Sequence, residues 1–325
     1  MRFEAVSTTG VDVQIIALTT RADWLPILLC LTVICFGHPA AAATIDVNGT
    51  MRSYTVQLPA KRPAPLVVVL HGKTQRGADM ITRTAWPQVA KRAGFAAAFP
   101  DGLNHAWADA RTRAGPELRG PPAGTDDVAF IAKLIDRLVA DGTADAKRVY
   151  VAGVSNGGAM AMTLVCARAD LFVAGASVIM NLTEETAATC HPSRPLPMLI
   201  MNGTADPLIP YEGGRGSSYF AADGFWSTEE TLAFWRKLNG CEAGDADATD
   251  MPDKSPDDRS TVTRITSRCP DGHDVVLYRI NGGGHRMPGF APDARFPRVA
   301  TGLLGPQNGD IDGAETIWAF FSRFH

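Results

Sequence analysis

The sequence lacks any large excess of charge of one sign, since its 325 residues hold 31 Lys and Arg against 34 Asp and Glu. A formal net charge of -3 gives little field to attract DNA, RNA or anionic lipid, so we expect no nucleic-acid partner. The hydrophobic content of 46% and charged content of 20% are ordinary for a globular protein. The chain is therefore expected to fold, and we interpret its bulk as one large domain.

Apolar runs long enough to cross a bilayer comfortably are also missing. The uncharged run at 25–36 follows Arg21, is short, and leads into alanines at 40–43. This order indicates a secretory signal over residues 1–43, cut near Ala43, with the folded domain at 44–325. An uncleaved membrane anchor is the alternative, whereas Ile34 before Cys35 argues against a lipoprotein signal. We expect a secreted protein, extracellular or periplasmic, with no stable membrane association after cleavage.

Few cysteines remain once the signal is removed: Cys166, Cys190, Cys241 and Cys269. An even set in an exported chain predicts disulfides, and four cysteines allow three connectivities. We favour Cys166 with Cys190 and Cys241 with Cys269, because each pair encloses a short local segment. Neither CxxC nor HxxxH spacing accompanies these cysteines, so no metal site is expected.

Short apolar runs alternate with segments of helical period, which is typical of a mostly parallel sheet with helices on both faces, an α/β fold. We predict strands at 66–70, 96–99, 148–152, 198–201 and 275–280, and helices at 126–140, 157–168 and 314–324. Thr125 or Asp126 is available as the N-cap of the first helix. The stretch at 240–268 is rich in Asp, Pro, Ser and Thr, and we interpret it as a surface excursion rather than a second domain.

The junction at 153–157 reads G-x-S-x-G and follows a predicted strand and precedes a predicted helix. In that context the serine sits on a sharp, strained turn and its hydroxyl is held above the sheet, which makes Ser155 a candidate nucleophile. The alternative is a chance glycine-rich turn. A hydroxyl also needs a base, and His285 is the candidate because it follows a strand and a glycine-rich turn that carry it to the carboxyl end of the sheet.

The acid that orients such a base should lie between the serine and the histidine in chain order. Asp206 fits, since it comes five residues after the strand at 198–201; Asp223, Glu212 and Glu184 are competitors without that placement.

An oxyanion hole needs the amide after the serine and one from the loop after an early strand, and we predict the amides of Asn156 and Lys73. His71, which precedes Lys73 by two residues, is expected to brace that loop.

Three motifs, GVSNGGAM from Gly153, NGTADPLIPY from Asn202 and GGGHRMPG from Gly282, together with FPDG and DDVAFIAKLID, resemble the exported polyhydroxybutyrate depolymerase-like and feruloyl esterase-like proteins. The resemblance spans roughly residues 44–325. It implies an α/β-hydrolase catalytic domain, carboxylic-ester hydrolysis by the triad Ser155, Asp206 and His285, and no cofactor.

This chain departs from the resembled pattern at two places that border the site. Lys73 stands where a cysteine often follows the H-G pair, and Arg286 and Met287 stand where related sequences often have Thr and Trp. Met287 is therefore a candidate substrate contact, and Trp107 and Trp226 are candidates to line the cleft.

We expect the substrate to be a small ester, or an acyl group linked to a polysaccharide or polyester. Feruloyl or acetyl esters of plant polysaccharide are the first hypothesis, and short polyhydroxybutyrate-type oligoesters are the second. A non-catalytic exported binding protein on a hydrolase scaffold is the third. A lipase or peptidase that uses the same triad is a further alternative.

Overall fold

A computed structural model describes residues 41–109, 120–215, 224–241, 246–291 and 302–325. The predicted signal at 1–43 lies outside the described residues except for its last three, which belong to the first strand, Ala41–Val47. Ala43 pairs with Tyr54 of the next strand, so the predicted cut would fall within that first strand. The domain boundary stays a prediction.

The strands, in chain order, are β1 (Ala41–Val47), β2 (Thr50–Gln57), β3 (Ala64–Leu70), β4 (Ala96–Pro100), β5 (Ala144–Val154), β6 (Ala174–Val178), β7 (Met198–Gly203), β8 (Ala246–Asp250), β9 (Thr261–Ser267) and β10 (Val275–Asn281). The helices are α1 (Gly77–Arg83), α2 (Trp86–Ala93), α3 (Asp127–Ala140), α4 (Asn156–Ala167), α5 (Glu184–Thr189), α6 (Thr228–Leu238) and α7 (Gly313–Phe321).

The strands of the described residues form one sheet in the order β1-β2-β4-β3-β5-β6-β7-β10-β9-β8. From β4 to β10 in that order, neighbouring strands run parallel. The two strands at each edge pair in antiparallel fashion. The carboxyl ends of the parallel strands consequently meet at one edge of the sheet, which is where loops can bring distant residues together.

Strand β3 shows how the sheet separates two cores, because successive side chains of a strand point to opposite faces. Leu66, Val68 and Leu70 pack with side chains of α3, α4 and α6, and Val67 and Val69 pack with side chains of α1, α2 and α7. All five are at most 1% exposed. Burial of such side chains contributes roughly 1.5–3 kcal/mol each, so this strand anchors both layers.

The predicted mostly parallel sheet with helices on both faces is confirmed. Every predicted strand and helix is present, with ends that differ by a few residues. The Asp126 side chain caps α3 by accepting the Ala129 amide at 2.8 Å, which decides between the two N-cap candidates.

Strand β6 was not predicted from the sequence. Its sequence AGASV is made mostly of small residues, although all five are buried between β5 and β7. A run of that kind carries little of the apolar signal by which strands are recognised.

The interpretation of 240–268 as a surface excursion was wrong in part, because β8 and β9 extend the sheet from its β10 edge. All five residues of β8 are exposed, so it shows no alternation of apolar and polar residues.

Both disulfides join the cysteines that the sequence favoured. Cys166 in α4 is bonded to Cys190, the C-cap of α5. Cys241, three residues beyond α6, is bonded to Cys269, two residues beyond β9. The second bond closes a segment of 28 residues, and so ties the β8 and β9 extension to the sheet.

Candidate active site

Ser155 occupies the sharp turn between β5 and α4, with φ 55° and ψ -120°. These backbone angles are strained for a residue other than glycine, and strained residues are concentrated at functional sites. The turn brings α4 very close to β3: a Cβ on Gly157 would lie 2.5 Å from the carbonyl oxygens of both Leu70 and His71. Glycine is required there because any side chain would push the helix off the strand.

The side chains of Ser155, His285 and Asp206 form one hydrogen-bonded series. The Oγ of Ser155 lies 2.9 Å from Nε2 of His285, and Nδ1 of His285 lies 2.7 Å from Oδ2 of Asp206. His285 and Asp206 are each 8% exposed. The structure therefore brings the three predicted residues together from three loops at the carboxyl edge of the sheet.

Asp206 is held in place by its own turn. Its Oδ1 accepts the amides of Leu208 at 2.8 Å and Ile209 at 2.9 Å, which leaves Oδ2 for the imidazole. An ionised carboxylate can only accept, so Nδ1 of His285 donates its proton and Nε2 is left as an acceptor for the serine hydroxyl. That tautomer is the one a general base needs.

The loops that carry His285 and Asp206 touch backbone to backbone. The Ala205 amide donates to Gly283 O at 2.9 Å, and the His285 amide donates to Leu304 O at 2.6 Å. A Cβ on Gly203 would lie 2.2 Å from Gly283 O, so glycine allows this approach. The glycine-rich turn thus serves close contact between the loops.

His71 braces the loop after β3, as the sequence predicted. Its Nε2 accepts the Gly102 amide at 2.9 Å, and its Nδ1 donates to Gly72 O at 2.7 Å. Burial lowers the pKa of His71 to about 4, chiefly by desolvation of the charged form, so the ring is neutral at pH 7.

The two residues predicted to supply oxyanion-hole amides belong to the loop after β3 and to the start of α4. Lys73 lines the same pocket as Ser155. Asn156 is the first residue of α4, and helix-starting amides have no acceptor within their own helix. Their role as oxyanion donors stays a prediction.

Trp107 was predicted to contact the substrate, but it does not line the pocket beside Ser155 and is only 2% exposed. That prediction is therefore corrected. Its Nε1 donates to His71 O at 2.8 Å, and its ring centre lies 4.9 Å from that of His71. The Asn156 side chain accepts the Trp107 amide at 2.7 Å and donates to Trp107 O at 3.1 Å. Trp107 therefore joins the loop after β3 to the turn that carries Ser155.

Of the other two predicted substrate contacts, Met287 borders the pocket and Trp226 does not. The Trp226 Nε1 donates to Glu184 Oε2 at 2.9 Å, and its ring packs edge-on against Phe234 with the ring centres 5.8 Å apart. These contacts are enough to account for its position. A substrate role for Met287 stays a prediction.

A pocket of about 200 Å³ opens beside Ser155 and His285. Its further lining is Gly72, Lys73, Thr74, Gln75, Arg83, Val154, Ile179, Leu208, Arg286, Met287, Phe290 and Leu304. Sequence reasoning missed Arg83, Ile179 and Phe290 as pocket residues. Ile179 follows the unpredicted strand β6 and has φ 48°, an outlier for a β-branched residue. A positive φ leaves no mark in the sequence unless glycine or asparagine supplies it.

Two further properties concern metals and membranes. Within residues 41–109, 120–215, 224–241, 246–291 and 302–325, no group of three or more His, Cys, Asp or Glu side chains is placed to hold a metal ion. No helix in that same part of the chain has both the length and the apolar character to cross a bilayer.

Comparison with protein families and curated proteins finds esterases. The family model described as Esterase PHB depolymerase matches residues 52–188. NocK of Nocardia uniformis subsp. tsuyamanensis, named as a putative esterase, is 33% identical over 302 residues, covering 87% of this chain and 84% of NocK. Feruloyl esterase B of Piromyces equi is 29% identical over 231 residues, covering 69% of this chain and 40% of that protein.

Solved structures resemble the fold. Acetyl xylan esterase from Aspergillus awamori has a TM-score of 0.54 at 15% identity, and the match covers 87% of this chain and 99% of that one. An S-formylglutathione hydrolase from Agrobacterium tumefaciens has a TM-score of 0.53 at 13% identity, covering 89% and 97%. At these identities the likeness concerns the fold alone, and it confirms the predicted α/β-hydrolase fold.

Proposed function

The chain belongs to the esterase PHB depolymerase family and is a carboxylic ester hydrolase, and we propose that it acts through an acyl-enzyme formed on Ser155. His285 is the general base and Asp206 orients it. The observation that carries this proposal is the unbroken series of hydrogen bonds, 2.9 Å from serine to imidazole and 2.7 Å from imidazole to carboxylate. A serine hydroxyl becomes an effective nucleophile when a base in this position takes its proton.

The reaction divides into two transfers. In the first, the Oγ of Ser155 bonds to the ester carbonyl carbon while its proton moves to Nε2 of His285. The amides of Lys73 and Asn156 donate to the oxyanion that develops on the carbonyl oxygen. The bond from carbon to the alcohol oxygen then breaks, and the alcohol leaves with the proton from Nε2.

In the second transfer, a water molecule loses a proton to Nε2 of His285 and bonds to the acyl carbon. The bond from carbon to the Oγ of Ser155 breaks, Oγ recovers the proton, and the carboxylic acid is released. Asp206 stays ionised throughout and stabilises the imidazolium that forms in each half.

We assign the substrate to feruloyl, acetyl or similar esters of plant polysaccharide. The name of one similar protein, feruloyl esterase B, supports this class. The match to the family model favours short polyhydroxybutyrate-type oligoesters as the second candidate. We also propose that the protein is secreted, because it carries two disulfides and an uncharged apolar run near its N-terminus.

The test is a panel of esters offered to the native protein and to Ser155→Ala. It contains p-nitrophenyl esters of rising chain length, methyl ferulate, acetylated xylan and soluble hydroxybutyrate oligomers. We expect hydrolysis to fall by roughly 10⁴- to 10⁶-fold in Ser155→Ala. Ser322→Ala, an exposed serine just beyond α7, is the matched control and should keep native activity.

Each outcome of the panel separates one hypothesis from another. Activity on methyl ferulate or acetylated xylan supports the polysaccharide esters, and activity confined to hydroxybutyrate oligomers replaces them with the second candidate. Equal, undiminished hydrolysis by Ser155→Ala would contradict the assigned nucleophile. A folded native protein that hydrolyses none of these esters would instead favour the non-catalytic binding protein.

A further inference from the structure

Two β-branched residues of the pocket beside Ser155 have left-handed backbone angles. Among the residues that the structure describes, the β-branched residues with a positive φ are Thr74 at 68° and Ile179 at 48°, and both line this pocket. A branched Cβ crowds the backbone in that conformation, so both positions are strained. Such strain is concentrated at functional sites, and these two side chains are therefore candidates for a role in the pocket.

Backbone hydrogen bonds hold Ile179 next to the candidate nucleophile. The Ile179 amide donates to Met201 O at 2.7 Å, and the carbonyl oxygen of the preceding residue, Val178, accepts the Ser155 amide at 2.8 Å. The amide that follows Ile179 donates to Asn202 Oδ1 at 3.0 Å. The backbone is thus fixed before and after Ile179, and a change of its φ would break these hydrogen bonds.

The Ile179 side chain forms a rigid part of the pocket wall. Ile179 is 4% exposed and belongs to the same buried apolar cluster as Val154, Met287 and Phe290, which line the pocket too. Closely packed apolar side chains give way little to an added methylene group. A ligand chain that reaches Ile179 therefore meets a wall that does not yield.

The acyl group is the half of the ester that this pocket can hold. In the proposed mechanism the acyl carbon bonds to the Oγ of Ser155, so the rest of the acyl group has to lie beside that atom. The alcohol half of a polysaccharide ester is polymeric and has to extend into solvent. The pocket volume of about 200 Å³ is below the roughly 300–1,000 Å³ of sites for drug-sized ligands, so the acyl group it can hold is short.

We propose that Ile179 is a specificity-determining residue, which closes the acyl pocket and restricts the protein to esters of short acyl chains. The proposal rests on the function assigned above and narrows its substrate class to acetyl, butyryl and similar esters. In a hydrophobic pocket, one methylene group more or less changes kcat/KM by roughly 10- to 200-fold. A single apolar side chain at the end of the pocket is therefore enough to set the chain length.

The test is kcat/KM for the p-nitrophenyl esters of acetate, butyrate, hexanoate and octanoate. We expect the native protein to hydrolyse the octanoate at least about tenfold less efficiently than the butyrate. Ile179→Ala should raise the ratio of octanoate to butyrate hydrolysis by about tenfold or more, because the shorter side chain opens the end of the pocket. Ile179→Val removes one methyl group and keeps the branched Cβ, and it should raise the ratio by a smaller factor.

Ile317→Ala is the matched control, because Ile317 is 1% exposed and lies in the same apolar cluster but does not line the pocket. It should keep the native ratio even if the loss of packing lowers its stability. Substitution of a residue with only a structural role changes the activity on all four esters alike. An active Ile179→Ala protein with the native ratio would overturn the proposal.

Alkyl acetates of rising alcohol length test the other half of the ester. The relative kcat/KM values of ethyl, butyl and octyl acetate should be the same in Ile179→Ala as in the native protein. A gain confined to the longer alcohols would place Ile179 beside the leaving group and overturn its assignment to the acyl side.

A second measurement uses the native protein alone and holds even if the Ile179 variants do not fold. An n-alkylboronic acid bonds reversibly to a serine Oγ and resembles the transition state, with its alkyl chain in the place of the acyl chain. Inhibition should be strongest for a short chain and at least about tenfold weaker for the octyl compound. Inhibition that strengthens steadily up to the octyl compound would overturn the proposal. If Ser155-dependent hydrolysis shows no limit on acyl length, this inference alone fails; if the native protein hydrolyses no ester at all, the assigned function fails and this inference with it.

Discussion

Replacing Asp206 with Asn keeps the shape of the side chain but makes its two ends different. In the native protein Oδ1 accepts the amides of Leu208 and Ile209, at 2.8 and 2.9 Å, and Oδ2 accepts the Nδ1 proton of His285 at 2.7 Å. The amide oxygen of Asn has to remain with the two backbone donors, because an NH2 group there would leave them unsatisfied. The NH2 group therefore faces His285.

This orientation reverses the tautomer of His285. With an NH2 donor opposite it, Nδ1 has to accept, so the proton moves to Nε2 and points at the Oγ of Ser155. The imidazole can then no longer take the serine proton, and we expect kcat to fall by about 10⁴-fold. The free energy of unfolding should change by only about 1 kcal/mol, because both backbone hydrogen bonds to residue 206 are kept.

The assay is kcat for p-nitrophenyl acetate at pH 7.5, with thermal unfolding measured on the same samples. Glu212→Gln is the matched control, since Glu212 is an exposed acid on the same loop that the sequence offered as a competitor. It should keep kcat within about twofold, as surface substitutions usually do. A folded Asp206→Asn protein with kcat within about tenfold of the native value would refute this account of the base.

Three further predictions concern stability. Gly157→Ala should lower the free energy of unfolding by about 1–3 kcal/mol or more, because its Cβ would clash with the carbonyls of Leu70 and His71. An unchanged midpoint in a urea titration would contradict this close contact. The pKa of His71 is lowered to about 4 from 6.5, so the unfolded chain binds its proton more readily and the neutral ring stabilises the fold above pH 6.5. That contribution, roughly 3 kcal/mol, should be lost as the pH falls from 6.5 to 4. Over this range the free energy of unfolding of His71→Gln should therefore depend much less on pH than that of the native protein. Removing the disulfide by Cys241→Ser with Cys269→Ser should cost about 3–4 kcal/mol in the same titration, as expected for a segment of 28 residues, and a loss below about 1 kcal/mol would argue against this explanation.

The three residues of the proposed triad could be predicted to lie together because local chemistry marks each of them. A serine between glycines at the end of a strand has one geometry that fits, and the chain order of serine, acid and histidine then selects Asp206 and His285. The parallel strands carry all three to the same edge of the sheet. Their proximity therefore follows without predicting any specific long-range contact.

The pocket walls could not be predicted in the same way. Arg83 lies on α1, a helix that was not foreseen, and Ile179 follows β6, a strand of small residues without a strong apolar signal. Trp107 was misassigned for a related reason: a single aromatic residue between elements has no periodicity to show whether it faces solvent, ligand or core. Its burial and the hydrogen bond from its indole to His71 O, both seen only in the folded structure, decide the matter.

The buried Trp107 helps to hold the site together. Asn156 binds both the amide and the carbonyl of Trp107, and the next residue, Ala108, donates its amide to Asp127 Oδ2 at 2.7 Å. Asp127 is buried and paired with Arg52 of β2 at 2.5 Å. Removing one partner of a buried ion pair strongly destabilises the folded protein. Asp127 is therefore held in place by Arg52, and it in turn restrains the segment at 107–108. The turn that carries Ser155 is thus linked through one buried polar network to β2, and Trp107, first considered for the substrate, belongs to that network.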